Sequence, residues 1–187
     1  GDPPRLQPQR LTRCSKARND LRPRGIWSIL KGKREGESTM IAIGSDHAAY
    51  KLKLLVEEHL KEKGVEFEDL GCYGPERVDY PVYGQKVAEA VASGQYEAGI
   101  VLCGTGIGIS LAANKGPGIR CAVCSDTYSA KYTRLHNDAN MLAMGERVVG
   151  PGLAMEIVDA FLSTPFEGGR HAARVEMISE IEKKYNK

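Results

Sequence analysis

Four short stretches of this sequence hold side chains that can move protons or bind anions. Cys103 opens the run Cys103-Gly104-Thr105-Gly106-Ile107-Gly108. A thiolate there could act as base or nucleophile, and the small residues behind it leave backbone N–H groups free to converge on one negative oxygen. No Asp or Glu lies between Cys103 and Asn114, so a base carried by this loop is the cysteine. Asp46-His47 and His136-Asn137-Asp138 set two imidazoles at the ends of predicted elements, where acid–base work is better served than inside a helix. His59, flanked by Leu55, Val56 and Leu60 within a helical pattern, reads instead as packing. Arg170 and Arg174 stand at i and i+4 after Gly168-Gly169, at the start of the last predicted helix. Two like charges on one face, near the positive end of the helix dipole, are each unfavourable. Arg174 has no acid at i±3 or i±4, and Arg170 has only Glu167. A phosphate held between the guanidiniums accounts for the pair better than a solvated basic face does.

Other chemistries are excluded by spacing. The glycine loop is no dinucleotide fingerprint, because Ile109 and Leu111 stand where the third glycine would be. It is no Walker loop, because no Gly-Lys-Ser/Thr follows. No tight metal-ligand spacing occurs, and neither a metal nor a cofactor is expected. Cys121-Ala-Val-Cys124 matches a C-x-x-C pattern but falls in a strand-like run, where residues i and i+3 point to opposite faces.

Positioning these groups requires a strand–helix alternation, and the hydrophobic pattern supplies one. Strands are expected at 40–44, 65–70, 98–103, 119–124 and 141–144. Helices are expected at 48–63, from Asp79-Tyr80-Pro81 with Tyr83, Val87 and Val91 recurring, to about Asn114, at 126–135, at 151–162 and at 170–185. The first helix is expected to bury Leu52, Leu55, Val56 and Leu60. Residues 98–103 are apolar except for Gly99, as suits a strand buried on both faces. Such alternation predicts an α/β protein, a Rossmann-like three-layer α/β/α sandwich around a five-stranded parallel sheet. Ligands of such sheets bind beyond the carboxyl ends of the strands, at a switch in strand order. Asp46-His47 and the Cys103 loop then face each other if the second and third strands flank the first.

With 187 residues, the chain is long enough for one domain and a tail. Residues 1–39 carry ten Lys/Arg against four Asp/Glu and four of the nine prolines, while residues 40–187 carry sixteen against twenty. The reading is a basic extension foreign to the fold over 1–39 and a folded α/β domain over 40–187, with Met40 opening the first strand pattern. Five scattered cysteines without an export signal read as cytoplasmic, reduced thiols. No apolar run is long enough for a membrane span, and a nucleic-acid partner would rest on the tail alone.

Together, Ser45-Asp46-His47-Ala48-Ala49, Asp79-Tyr80-Pro81, Cys103 to Ser110 with Ala112-Ala113-Asn114-Lys115, His136-Asn137-Asp138-Ala139-Asn140 and Glu167-Gly168-Gly169-Arg170-His171 resemble type B ribose-5-phosphate isomerase, with the galactose-6-phosphate isomerase subunits as sister group. The resemblance covers residues 40–187 in order. It implies metal-free interconversion of ribose 5-phosphate and ribulose 5-phosphate through an enediol, in a homodimer or tetramer whose sites use both subunits. It further implies Cys103 as the base at C1 and C2, Thr105 as its assistant, and the amides of Gly104, Gly106 and Gly108 on the enediolate. His136 would open the ring, with Asp46, Tyr80 and Asn137 on hydroxyls. His47, Arg147, Arg170 and Arg174 would take the phosphate. Some family members carry a glutamate base where this sequence has Ile109. Two alternatives stay open: an isomerase of galactose 6-phosphate or allose 6-phosphate, and a non-catalytic sugar-phosphate binder that would not need Cys103 or His136.

Overall fold

The computed structural model describes residues 40–185. The extension read over 1–39 lies outside the described residues. The elements alternate as expected: β1 (Ile41–Ser45), a 3₁₀ turn (His47–Ala49), α1 (Tyr50–Glu62), β2 (Phe67–Asp69), α2 (Tyr80–Ala92), β3 (Ala98–Cys103), α3 (Ile107–Ala113), β4 (Cys121–Val123), α4 (Thr127–Asn137), β5 (Met141–Gly145), α5 (Pro151–Ser163) and α6 (Arg170–Tyr185). All five strands are parallel, in the order β2-β1-β3-β5-β4. The chain thus leaves β1 toward β2 on one side and returns to β3 on the other. The switch in strand order falls between β1 and β3, where the sequence places Asp46-His47 and the Cys103 loop.

Alternation along the strands sorts the core into two layers. Ile41, Ile43, Ile100, Leu102, Leu142 and Met144 pack under α1, α4 and α5. Ala42, Val101, Cys103, Met141 and Ala143 pack under α2 and α3. Gly44 and Gly99 let α2 approach closely, since a Cβ on either would sit 2.8–2.9 Å from a Val87 methyl. Cys121 joins the α2/α3 layer and Cys124 the opposite one. Burial, the larger cause for each, with a neighbouring charge adding, pushes Cys121 up to about 12 and Cys124 up to about 11. Neither is a ready thiolate, and the pair does not face a common ligand.

Three expectations need correction. The outer strands are shorter than their apolar runs, because Val65 and Ile119 turn their N–H groups to Leu60 and Gly116 rather than to a neighbouring strand. In α1 the buried face includes Lys53 and Glu57, while Leu55 is 46% exposed. His59 is more than packing: its Nε2 lies 2.7 Å from Asp159 Oδ1, which joins α1 to α5.

Candidate active site

The carboxyl end of β1 runs straight into Asp46, whose N–H continues the ladder to Leu102 O at 3.0 Å. The Asp46 carboxylate then caps the 3₁₀ turn, with Oδ1 accepting from Ala48 N at 2.9 Å and Ala49 N at 3.2 Å. Burial pushes this carboxyl above the usual carboxylate range, against the Ala48 N–H, the His47 and Arg147 charges and the Ala49 N–H. His47 is half-buried, and its Nδ1 meets both the N–H (3.2 Å) and the carbonyl (3.1 Å) of Val78. Either protonation state of that nitrogen therefore finds a partner, and the ring is held with Nε2 free for a ligand.

Across the switch point, Cys103 ends β3 with only 4% of its surface exposed. Its Sγ accepts from Gly106 N at 3.1 Å, so the loop is wrapped around the sulfur. Gly106 caps α3 at φ +79°, a left-handed conformation that favours glycine, and a Cβ there would meet Met144 carbonyl carbon at 2.8 Å. Thr105 is exposed, and its Oγ1 accepts from Ile107 N at 3.3 Å. Ile109 is fully buried among apolar residues. The Tyr80 ring, at the start of α2, lies against Gly108, and the Arg147 guanidinium lies against Gly104. Arg147 N and Glu146 N donate to the carbonyls of Gly104 and Cys103, both at 3.1 Å. Glu146, which sequence reasoning missed, also reaches back with Oε2 to cap Leu52 N at 2.9 Å. A contact spanning 94 residues leaves no local signal.

The remaining expected residues gather elsewhere. His136 and Asn137 are the last two residues of α4, and Asp138 closes that helix in the left-handed region at φ +46°. Arg120, just before β4, donates to the Asn137 and Asp138 carbonyls, and Asn140, just before β5, accepts from Arg120 N. His136 therefore sits at the amino end of the sheet, whereas Cys103, paired with Gly145, sits at the carboxyl end. The His136 ring stacks on His171 at 4.1 Å and 8°, with Glu167 Oε2 3.7 Å from both Nε2 atoms. Burial, then the His136 charge, holds the His171 imidazole below its ordinary value, with Glu167 opposing and Arg170 and Arg174 adding. Its Nε2 accepts from Arg170 Nε at 3.4 Å. Arg170 and Arg174 are exposed at the start of α6, and among the described residues neither pairs with a carboxylate.

His136, Glu167 and His171 bring three ligand-type atoms within 4.8 Å of one another, a cluster that spacing in the sequence did not reveal. Two near-parallel rings hold their lone pairs in parallel planes, so the arrangement does not converge on one ion, and the two arginines beside it favour an anion. A cavity of about 520 Å³ lies between β4, α4 and α6, and of the expected site residues only Asn137 lines it.

The expected set is thus divided. Asp46, His47, Tyr80, Cys103, Gly104, Thr105, Gly106, Gly108 and Arg147 surround the carboxyl ends of β1 and β3. His136, Asn137, Arg170 and Arg174 surround the amino end of β4 and β5. Against models of known families, residues 41–178 match Ribose/Galactose Isomerase. The chain belongs to the ribose/galactose isomerase family. Among relatives in that family, ribose-5-phosphate isomerase B of Escherichia coli is 55% identical over 146 residues, which are 78% of this chain and 98% of the relative. The D-erythrulose-4-phosphate isomerase of Pectobacterium atrosepticum is 46% identical over 144 residues, 76% of this chain and 94% of that one. The structure of Clostridium thermocellum ribose-5-phosphate isomerase B superposes with a TM-score of 0.78 at 60% identity, covering 79% of this chain and 99% of that one. The ribose/galactose isomerase match leaves residues 1–40 outside it.

Proposed function

We propose that this chain interconverts ribose 5-phosphate and ribulose 5-phosphate as a metal-free aldose–ketose isomerase. The observation that carries the reading is Cys103 at the β1/β3 switch point, its sulfur accepting from the glycine-loop amide of Gly106, with Asp46 and His47 at the end of the neighbouring strand β1. Ring opening takes the proton from the anomeric hydroxyl and returns one to the ring oxygen, with His136 as the acid–base group. The Cys103 thiolate then removes the C2 proton, and the electron pair moves to the C1 carbonyl. The resulting enediolate charge develops against the amides of Gly104, Gly106 and Gly108. Thr105 passes the proton between O2 and O1, and Cys103 returns its proton to C1, which leaves the ketone at C2. Asp46, Tyr80 and Asn137 hold hydroxyls. His47, Arg147, Arg170 and Arg174 hold the phosphate, so binding energy from the far end orients the reacting carbons.

This chemistry needs both groups of residues around one substrate. The strands and α4 each separate the two ends by about 16 Å, from rises of about 3.3 and 1.5 Å per residue. A five-carbon sugar phosphate does not span that, so each site takes one group from each of two copies in a homodimer. Exposed apolar side chains support a second copy: Met177, Ile178, Ile181 and Tyr185 on α6, and Ile107 and Leu111 on α3. Four free thiols among the described residues support a cytoplasmic setting, and ribose 5-phosphate places the step in pentose phosphate metabolism. Residues 1–39, with ten Lys/Arg against four Asp/Glu, are read as a basic extension to this unit.

One assay tests the reading. Ribose 5-phosphate, D-erythrulose 4-phosphate, allose 6-phosphate and galactose 6-phosphate are compared with EDTA present. The expected outcome is the highest kcat/KM on ribose 5-phosphate, unchanged by chelation. Preference for another sugar, or loss on chelation restored by a divalent ion, overturns it.

The phosphate clamp gives a second expectation. Arg174→Ala should raise KM about 10–100-fold, since a charge-assisted hydrogen bond contributes roughly 1.5–3 kcal/mol. Inorganic phosphate should compete with substrate in the wild type and poorly in the variant. Thermal stability of the unliganded variant should rise slightly, as a like charge leaves the first turns of α6. Unchanged phosphate inhibition would remove Arg174 from the site.

A further inference from the structure

Lys53 is the one described lysine with nothing of its side chain exposed, and the mechanism above does not use it. A buried ammonium must have partners, and this one fills all three N–H positions. Nζ donates to both carboxylate oxygens of Asp69 and to the Cys72 carbonyl, each at 2.6 Å. Glu57 Oε1, one turn further along α1, lies 3.6 Å away, and the Tyr50 and Tyr73 rings flank the charge at 5.6 and 5.4 Å. Burial, then the neighbouring Asp69, pushes the Glu57 carboxyl above its ordinary range, with the Lys53 charge opposing. An apolar side chain would fill this space at lower desolvation cost. What it could not do is hold the Cys72 carbonyl.

That carbonyl belongs to segment 70–79, which forms one wall of the site. Leu70 N donates to Ile43 O, Ser45 N to Gly71 O and Cys72 N to Ser45 O, so the segment carries the β2 pairing along β1 as far as the residue before Asp46. Asp69 Oδ1 also accepts from Gly71 N at 2.8 Å. The far end of the segment supplies both Val78 groups that hold His47 Nδ1, and it leads directly into Tyr80. No contact in this chain of bonds is made by Cys103. Its sulfur is held by Gly106 N and its carbonyl by Glu146 N.

We propose that Lys53 is a positioning residue of the site: through Asp69 and the Cys72 carbonyl it fixes segment 70–79, and through Val78 it aims the His47 imidazole at the phosphate. The link to phosphate rests on the isomerase reading; the link to segment 70–79 does not.

The full-length chain is compared with Lys53→Met and with the double variant Lys53→Met/Asp69→Asn. The double variant avoids an unpaired buried carboxylate while Asn keeps an acceptor for Gly71 N. Amide hydrogen exchange is read by mass spectrometry, with substrate kinetics, inhibition by inorganic phosphate and alkylation of Cys103 by iodoacetamide. In the double variant, peptides covering 70–79 should exchange about tenfold faster while β3 and β5 keep wild-type protection. The inhibition constant for inorganic phosphate and KM should each rise about tenfold, with a smaller change in kcat and wild-type Cys103 alkylation. Wild-type exchange at 70–79 overturns the proposal. So does faster exchange spread evenly over the sheet, or a double variant that does not fold, because either makes Lys53 a support of the whole fold. A wild-type chain that fails to turn over ribose 5-phosphate sinks the isomerase reading instead, and the exchange data still decide the positioning.

Discussion

Cys103→Ser is expected to lower kcat on ribose 5-phosphate by about three orders of magnitude or more, within the range that a general base contributes and beyond. Serine keeps an oxygen where Gly106 N now donates to Sγ, so the loop retains its inner acceptor. It does not retain a base, because a hydroxyl stays protonated where a thiol can ionise. Inhibition by inorganic phosphate should therefore stay near the wild-type value, since the substitution leaves the proposed phosphate ligands His47, Arg147, Arg170 and Arg174 in place. In heavy water the wild type should wash deuterium into C2 of ribose 5-phosphate, and the variant should not. Activity within tenfold of wild type would mean that another group takes the proton. Asp46 would then be the nearest alternative, since burial already pushes its carboxyl upward and Arg147, Ala48 N and Ala49 N only partly oppose this.

Much of this arrangement is legible in the residues. A six-residue apolar run ending in cysteine and glycines can hardly be anything but a central strand delivering a loop, and β3 is that strand, buried along its whole length. The rule that ligands bind beyond the carboxyl ends of the strands then selects Asp46, His47 and the glycine loop before any chemistry is considered. The edges were harder to read. Val65 and Ile119 are apolar and buried like strand residues, but an edge strand is paired on one side only, and their amides are claimed by the preceding turns. Lys53 was illegible for a different reason. A lysine on a helix reads as a solvent-facing residue unless its partner is visible, and Asp69 and Cys72 become partners only when β2 lies along β1. Glu146 and His171 were hidden in the same way, since each acts on a residue brought near by the fold.

The position of His136 is legible in the order of the elements. A helix after a parallel strand runs back to the amino end of the sheet, so a histidine at the end of such a helix cannot meet a cysteine at the end of a strand in the same chain. That geometry leads to the second large effect. On the proposed two-copy site, Cys103→Ser and His136→Asn should each be nearly inactive alone, because every site then lacks one of its proton-moving groups. When the two inactive proteins are mixed and allowed to exchange subunits, half the dimers should be mixed. In a mixed dimer one site receives both substitutions and the other receives neither. The mixture should therefore recover about a quarter of wild-type activity per chain, as expected for two-fold symmetric partners in random assortment. KM of the recovered activity should equal the wild-type value, since the restored sites are complete. A site built within one chain predicts no recovery at any mixing ratio, because each chain would carry its own lesion into its own site. Substituting Met177 and Ile181 with lysine on the apolar face of α6 should block both the recovery and the activity of the otherwise unaltered chain, if that face is covered by the second copy.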